Sequence, residues 1–136
     1  GTTKAHEELE EKIAQFKKTE DAVTYSSGYV TNLAAITTLC QKGDLVIMDK
    51  LDHASIIDGC ILSGANHRSF LHNNMESLEN ILAQAEHYQN KLIAVDAVYS
   101  MDGDIANLPE LSRLAKKYNA KLMVCLLYTS PSPRDS

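Results

Sequence analysis

Short apolar runs alternate with longer amphipathic segments along this chain, and this alternation restricts the possible folds more than any other feature. The runs Leu45–Met48, Leu92–Val95 and Lys121–Val124 are each four residues long and almost entirely apolar, as in strands that are buried on both faces. Segments with helical spacing separate these runs. The pattern predicts the α/β class, with βαβ units that build a mostly parallel sheet inside a three-layer α/β/α domain.

The spacing of apolar side chains predicts the helices. In Thr3–Lys18, the apolar residues Ala5, Leu9, Ile13 and Phe16 lie three or four positions apart and form one helical face. The same reasoning predicts further helices at Tyr29–Cys40, Ala54–Leu62, Met75–Gln84 and Leu108–Tyr118, and further strands at Ala22–Tyr25 and His67–Leu71.

Composition excludes several classes of partner. A length of 136 residues corresponds to one domain, and 44% hydrophobic with 23% charged residues is ordinary for a globular protein. The net charge of −5 argues against nucleic acid and anionic membrane as partners, since both attract clustered basic residues. No apolar run approaches the roughly 20 residues that span a bilayer.

The termini and the cysteines indicate the cellular context. The chain starts at Gly1 without an initiator methionine or a signal-peptide pattern, which is typical of the middle of a longer protein. The cysteines, Cys40, Cys60 and Cys125, form no C-x-x-C pair, so neither a metal site nor a disulfide framework is expected. We expect buried free thiols in a cytoplasmic protein.

The segment 125–136 differs in character from the rest of the chain. Back-translated, the peptide Cys125–Asp135 resembles a transposase adaptor that is used to prepare DNA sequencing libraries. Its two prolines would also end a buried strand without adding a chemical group. We therefore interpret residues 125–136 as foreign and residues 1–124 as one incomplete domain.

Three loops follow predicted strands, at the edge of a parallel sheet where ligands bind. The first is Ser26-Ser27-Gly28-Tyr29, which lies between a strand and a helix. Free backbone N–H groups at such a helix start can hold a phosphate, although neither a Walker A loop nor a G-x-G-x-x-G pattern is present. A helix cap with a flexible glycine explains the same residues without a ligand.

The second loop contains His53, directly before a predicted helix. A neutral imidazole there can stack on a flat cofactor or handle a proton near neutral pH. Alternatively, its ring is simply satisfied by Asp52 or Ser55. The other histidines show no ligand-like spacing and are predicted to be surface groups: His6, His67, His72 and His87.

The third loop, Asp96–Asp104, contains three acidic residues and places the hydroxyl of Ser100 at the same edge. An EF-hand requires a glutamate at its twelfth position, and here that position is Asn107, so the loop is not a calcium site. The Asp102-Gly103 pair is typical of a turn.

Together, these segments resemble the α-oxoamine synthases, a subfamily of fold-type I pyridoxal-phosphate (PLP) enzymes with the large domain of aspartate aminotransferase. The similarity covers Gly1–Val124 in family order and depends on the segments Gly1–Glu10, Ser26–Tyr29, His53–Gly59 and Tyr99–Asp104. The resemblance implies a homodimeric acyltransferase that condenses a small amino acid, alanine or glycine, with an acyl-CoA or acyl carrier protein thioester.

The resemblance also implies site residues, position by position. Gly28 and Tyr29 match the glycine–aromatic pair beside the cofactor phosphate, and His53 matches the histidine stacked on the pyridine ring. Ser100 matches the serine near the phenolic oxygen of PLP, and Asp96 matches an acid to which we assign no role. Tyr29 replaces the phenylalanine of many relatives, which keeps the ring and adds a hydroxyl.

Some parts that the family requires are missing here. Relatives follow the last strand with an aspartate for the pyridine nitrogen, then a histidine, and later the lysine that forms the Schiff base. In this chain, Cys125 and Leu126 occupy the aspartate segment. The parent protein is thus predicted to be an enzyme and the present chain to be inactive. A non-catalytic phosphate-binding α/β module remains the alternative from another class.

Overall fold

The computed structural model describes residues 2–99 and 104–126. Helices and strands alternate along them, and each apolar run of the sequence becomes a strand. The helices are α1 (Thr2–Thr19), α2 (Tyr29–Leu39), α3 (Ala54–Ser63), α4 (Met75–Ala83) and α5 (Leu108–Lys117), and the strands are β1 (Thr24–Ser26), β2 (Leu45–Asp49), β3 (Asn66–Phe70), β4 (Lys91–Asp96) and β5 (Lys121–Cys125).

The strands form one parallel sheet in the order β1-β5-β4-β2-β3. Every residue of β2 and β4 is buried, because both strands lie inside the sheet and have helices on both faces. Strand β3, at one border, is exposed except at Phe70 and carries the polar side chains of His67 and Arg68, which discourage pairing with another strand.

The sheet divides the core into two layers, because alternate strand residues point to opposite faces. Ile47 and Ile93 point to the face that is covered by α1, α4 and α5, which we call the three-helix face. Val46 and Ala94 point to the face covered by α2 and α3, the two-helix face. The predicted three-layer α/β/α architecture is confirmed.

Helices α2 and α3 lie unusually close together, and a glycine permits the contact. A β-carbon added to Gly59 of α3 would lie 2.8 Å from Cδ1 and 3.2 Å from Cβ of Ile36 on α2. The first separation is shorter than real β-carbons show and the second is tight, so a residue larger than glycine requires Ile36 to move.

All predicted helices and strands are present, with boundaries that differ by one or two residues. The largest shift is in the first strand, which was predicted to begin at Ala22 and begins at Thr24 after a turn. Cys125, assigned above to the foreign segment, is the fully buried last residue of β5. The cysteines are buried, as predicted, and form no disulfide bond, and burial raises the pKa of Cys60 to about 12. Among the described residues, no helix combines the length and apolarity needed to cross a bilayer.

Candidate functional site

Four neighbouring strands end at one edge of the sheet, which we call the rim. Ser26, Cys125, Asp96 and Asp49 are the last residues of β1, β5, β4 and β2, in that spatial order. Cys125 lies in register with Ser26 on one side and with Asp96 on the other. Ligands of parallel α/β sheets bind at this edge, so the predicted site residues are expected at the rim.

Gly28 begins α2 in a left-handed conformation, with φ of 89°. Such a φ strains any residue that has a β-carbon, so the turn between β1 and α2 requires glycine. Its carbonyl accepts hydrogen bonds from Asn32 N at 3.1 Å and from Thr31 Oγ1 at 2.9 Å. No side chain at the N-cap position caps α2, which leaves its first N–H groups available to an anion.

Tyr29 follows as the first residue of α2, and 47% of its surface is exposed. Its hydroxyl donates a 2.6 Å hydrogen bond to Asp58 Oδ2 on α3. That hydrogen bond raises the pKa of Tyr29. The extra hydroxyl relative to phenylalanine therefore ties α2 to α3, while the ring stays accessible.

His53 is the N-cap residue of α3 and lies at the rim with an exposed side chain. Its backbone N–H donates to Asp96 Oδ2 at 2.7 Å, which connects the start of α3 to the end of β4. Its Nδ1 accepts a 3.5 Å hydrogen bond from the backbone N–H of Ser55. The cap predicted as an alternative role is thus present, and the side chain of His53 remains exposed.

Asn32 is fully buried in α2 and links three other elements at the rim. Its Oδ1 accepts from Ser26 Oγ at 2.6 Å. Its Nδ2 donates to Ser55 Oγ at 2.8 Å and to Cys125 Sγ at 3.0 Å. The side chain thereby joins the ends of β1 and β5 to the first turn of α3.

A buried acidic group lies on the other side of the rim. Asp52 accepts hydrogen bonds from the hydroxyl of Tyr99 at 2.7 Å and from the backbone N–H groups of Asp49 and Asp96, at 3.0 and 3.2 Å. Burial, and next the charge of Asp96, raises the pKa of Asp52 well above its ordinary value. Burial also raises the pKa of Asp96. The group therefore favours proton retention on at least one carboxyl.

His72 is not the surface group that the sequence predicted. Its ring bridges two carboxylates, with Nδ1 2.9 Å from Asp49 Oδ1 and Nε2 2.7 Å from Asp104 Oδ2, and it packs edge-on against Tyr99. Burial opposes its charge, but the hydrogen bonds to Asp49 and Asp104 outweigh that effect and raise the pKa of His72. The prediction was wrong because the fold brings Asp104 next to His72 from 32 positions away in sequence. His67 and His87 are exposed, as expected.

Three of the predicted cofactor residues meet at the rim. Gly28 and Tyr29 start α2, His53 starts α3, and the chain of hydrogen bonds through Asn32 joins the two helix starts. Ser100 lies outside the described residues. Within those residues, no group of three His, Cys, Asp or Glu side chains is arranged to hold a metal ion.

Sequence reasoning missed Asn32, although a signal was present. Asn32, Ile36 and Cys40 are spaced four apart along α2 and are all buried. A polar residue on the apolar stripe of a helix needs hydrogen-bond partners in the core, which marks it as a residue with a specific role.

The chain belongs to the aminotransferase class I and II family, whose model matches residues 1–129. The 8-amino-7-oxononanoate synthase of Chromobacterium violaceum is 52% identical over 124 residues, and synthase 1 of Bacillus subtilis is 48% identical over 124 residues. Each match covers 91% of this chain and 32% of the relative. These matches place the chain among the α-oxoamine synthases, as its motifs predicted, and the chain spans about a third of the length of these relatives.

Solved structures agree with the family and the fold. The serine palmitoyltransferase of Sphingomonas wittichii superposes with a TM-score of 0.67 and 41% identity, over 89% of this chain and 30% of that one. A structure described as serine palmitoyltransferase (SPT) with PLP gives a TM-score of 0.68 and 42% identity, over 88% and 30%. The predicted fold-type I PLP large domain is therefore confirmed.

Proposed function

We propose that this chain is part of the PLP-binding domain of an 8-amino-7-oxononanoate synthase, a PLP-dependent acyltransferase of biotin biosynthesis. The observation that carries the proposal is the 48–52% identity to such synthases over 124 residues. The name of their product supports a particular substrate pair. Carbons 8 and 9 with the amine correspond to alanine after loss of CO2, and carbons 1–7 correspond to a seven-carbon dicarboxylic acyl group.

The rim offers groups that fit PLP. The start of α2 has a left-handed glycine and no side-chain cap, which suits the cofactor phosphate. His53 presents an exposed side chain at the same edge, which suits the flat pyridine. In this proposal, Gly28 and Tyr29 hold the phosphate, His53 covers the ring, and Ser100 lies near the phenolic oxygen.

PLP, when bound, supplies an electron sink for bond cleavage at the amino-acid α-carbon. The residues of this chain contribute position. Asp96 holds the backbone of His53 through a 2.7 Å hydrogen bond, so the imidazole stays where a flat ligand would pack. The buried carboxyl of Asp52 accepts a 2.7 Å hydrogen bond from the half-buried Tyr99 beside it, so both polar groups are satisfied within the protein.

The rest of the proposal concerns the whole protein. We propose that the parent is a cytoplasmic homodimer and uses an acyl-CoA or acyl carrier protein thioester. We also propose that residues 125–136 are foreign, and that the chain alone is inactive because the Schiff-base lysine lies in a missing part. Glycine C-acetyltransferase and a serine palmitoyltransferase-like enzyme are the alternatives, the latter supported by the 42% identity to the SPT structure with PLP.

A chimera tests the proposal. Residues 1–124 replace the matching segment of the Bacillus subtilis relative, which supplies the remaining two thirds. Alanine, glycine and serine are each offered with pimeloyl-CoA, acetyl-CoA or palmitoyl-CoA, and released CoA is measured. We expect turnover with alanine and pimeloyl-CoA to exceed every other pair. Preference for glycine with acetyl-CoA, or for serine with palmitoyl-CoA, would select the corresponding alternative, and a chimera that binds phosphate but neither PLP nor substrates would indicate the non-catalytic module.

Two histidine variants of the chimera test the site assignment. His53→Ala should lower turnover at least about tenfold, because its ring is placed against the cofactor. His67→Ala, on the exposed border strand β3, is the matched control and should leave turnover unchanged. Equal losses in both variants would contradict the role of His53. His72 is unsuitable as a control because it bridges Asp49 and Asp104.

A further inference from the structure

The side chain of Asn32 uses both of its polar atoms inside the protein. It is fully buried and makes three hydrogen bonds, to Ser26, Ser55 and Cys125. These partners lie in β1, α3 and β5, and the most distant of them in sequence, Cys125, is 93 positions from Asn32. The position of a buried amide with this many partners is tightly constrained, because any shift of one element breaks a buried hydrogen bond.

The three elements joined by Asn32 are those that carry the rim groups. Ser26 ends β1, two positions before Gly28 at the start of α2. Ser55 lies in the first turn of α3, and its backbone N–H donates to Nδ1 of His53. A continuous path therefore runs from Ser26 through Asn32 and Ser55 to the imidazole of His53.

We infer that Asn32 is a positioning residue, which holds the start of α2 and the ring of His53 in the relative placement that a ligand with a phosphate and a flat ring requires. The inference rests on the proposed function for the identity of that ligand. Asn32 has no access to the ligand itself, since its side chain is fully buried beneath the rim. Its effect passes through Ser55 to His53 and through Ser26 to the loop at Gly28.

The same arrangement favours one tautomer of the His53 ring when the ring is neutral. Because Nδ1 of the neutral ring accepts from the Ser55 N–H, the proton lies on Nε2. Loss of the Asn32–Ser55 hydrogen bond should allow the first turn of α3 to move, together with the Ser55 N–H that donates to Nδ1 of His53. The ¹⁵N chemical shifts of the His53 ring report this tautomer directly, independently of any bound cofactor.

The experiment compares Asn32→Leu with Asn90→Leu in the chimera described above. Asn90 is the matched control, because its Nδ2 also makes two 2.9 Å hydrogen bonds, to the Leu39 carbonyl and to Asp44 Oδ2, but at the opposite edge of the sheet. The chimera retains Ser26 and Ser55, two of the three Asn32 partners. The measured quantities are the Kd for PLP, the thermal midpoint and the ¹⁵N shifts of His53 without PLP.

Both variants should lower the thermal midpoint, because each leaves hydrogen-bond partners unpaired, fully buried ones for Asn32 and partly buried ones for Asn90. Only Asn32→Leu should weaken PLP binding, by about tenfold, and only it should change the His53 shifts. Ser55→Ala, a milder change, should reproduce the altered His53 shifts, while Ser26→Ala should leave them unchanged. Equal effects of Asn32→Leu and Asn90→Leu on the Kd for PLP would overturn the inference.

Failure of the proposed function gives a different result. If the unsubstituted chimera binds no PLP, the proposed function is wrong, and the His53 shifts of the cofactor-free protein then decide on Asn32 alone. Shifts changed by Asn32→Leu and Ser55→Ala but not by Asn90→Leu support the positioning role. Unchanged shifts in Asn32→Leu overturn it. Should Asn32→Leu fail to fold, the Ser55→Ala and Ser26→Ala pair makes the same distinction.

Discussion

The helices on the two faces of the sheet differ in the polarity of the side chains that they expose to solvent. On the three-helix face, α5 turns its apolar side inward and its charged side outward, where Lys116 pairs with Glu20 and Lys117 pairs with Glu79. On the two-helix face, α2 and α3 expose apolar side chains to solvent. The exposed fractions are 73% for Val30, 40% for Ile57, 67% for Ile61 and 67% for Leu62.

This difference marks the two-helix face as the more apolar of the two outer surfaces. A cluster of exposed apolar residues marks a contact surface, whereas single ones are ordinary. The same two helices carry Gly28, Tyr29 and His53 at their starts. The face that holds the candidate site is therefore also the face that exposes these apolar side chains, in a chain that spans about a third of the length of its relatives.

The largest expected effect concerns the chain by itself. If the whole protein buries roughly 400 Å² of this apolar surface, the isolated chain forfeits about 10 kcal/mol. This is comparable to the total stability of a domain, about 5–15 kcal/mol. We expect the isolated 136-residue chain to be insoluble or loosely collapsed. A soluble monomer with a cooperative thermal transition and dispersed amide NMR signals would show that the two-helix face needs no cover.

The next prediction compares equal truncations on the two faces of the chimera. Leu114→Ala, at a fully buried position of the three-helix face, should lower the free energy of unfolding by about 2–5 kcal/mol. Leu62→Ala, on the two-helix face, should cost a comparable amount in the chimera, because we expect the remaining protein to cover this side chain, which is 67% exposed here. Urea unfolding measures both. A loss below about half of that for Leu114→Ala would mean that the remaining protein leaves α3 uncovered.

A smaller effect is expected at the crossing of α2 and α3. Gly59→Ala places a β-carbon against Ile36, and the overpacking cost of about 1–3 kcal/mol exceeds the gain of about 1 kcal/mol in helix propensity. Ile36→Val removes the Cδ1 atom of the closest contact. The double variant should therefore be more stable than the sum of the single changes predicts, and strict additivity in urea unfolding would contradict the contact.

The smallest effect is a pH dependence of the free energy of unfolding, caused by His72. Because the folded-state pKa of His72 is raised, its contribution to stability is fully present below the unfolded value of about 6.5. It is lost as the pH rises through the folded-state pKa. His72→Gln should remove this loss, of about 1 kcal/mol or less, between pH 5.5 and 8.5. His67→Gln is the control, and an unchanged pH profile in His72→Gln would refute the assignment.

The fold was predictable because the signal was local. The runs at Leu45–Met48 and Leu92–Val95 are apolar throughout, and each became a strand buried on both faces. The rim positions of Gly28 and His53 followed from the rule that sites form where parallel strands end. The roles of Asn32 and His72 could not be predicted in the same way, because their partners include residues 93 and 32 positions away.

The order of the strands has a consequence for biosynthesis. Strand β1 pairs only with β5 among the described strands, and Thr24 faces Met123 across that pairing. Synthesis at about 5–20 residues per second separates the two strands by about 5–20 s. During that interval β1 lacks its pairing strand β5, so β1 and the start of α2 cannot join the sheet. In contrast, β2 and β3 can pair as soon as both have left the ribosome. The loop that carries Gly28 is synthesised early, but β5, which pairs with the preceding strand β1, is synthesised late. The nascent chain therefore completes the rim only after β5 has emerged.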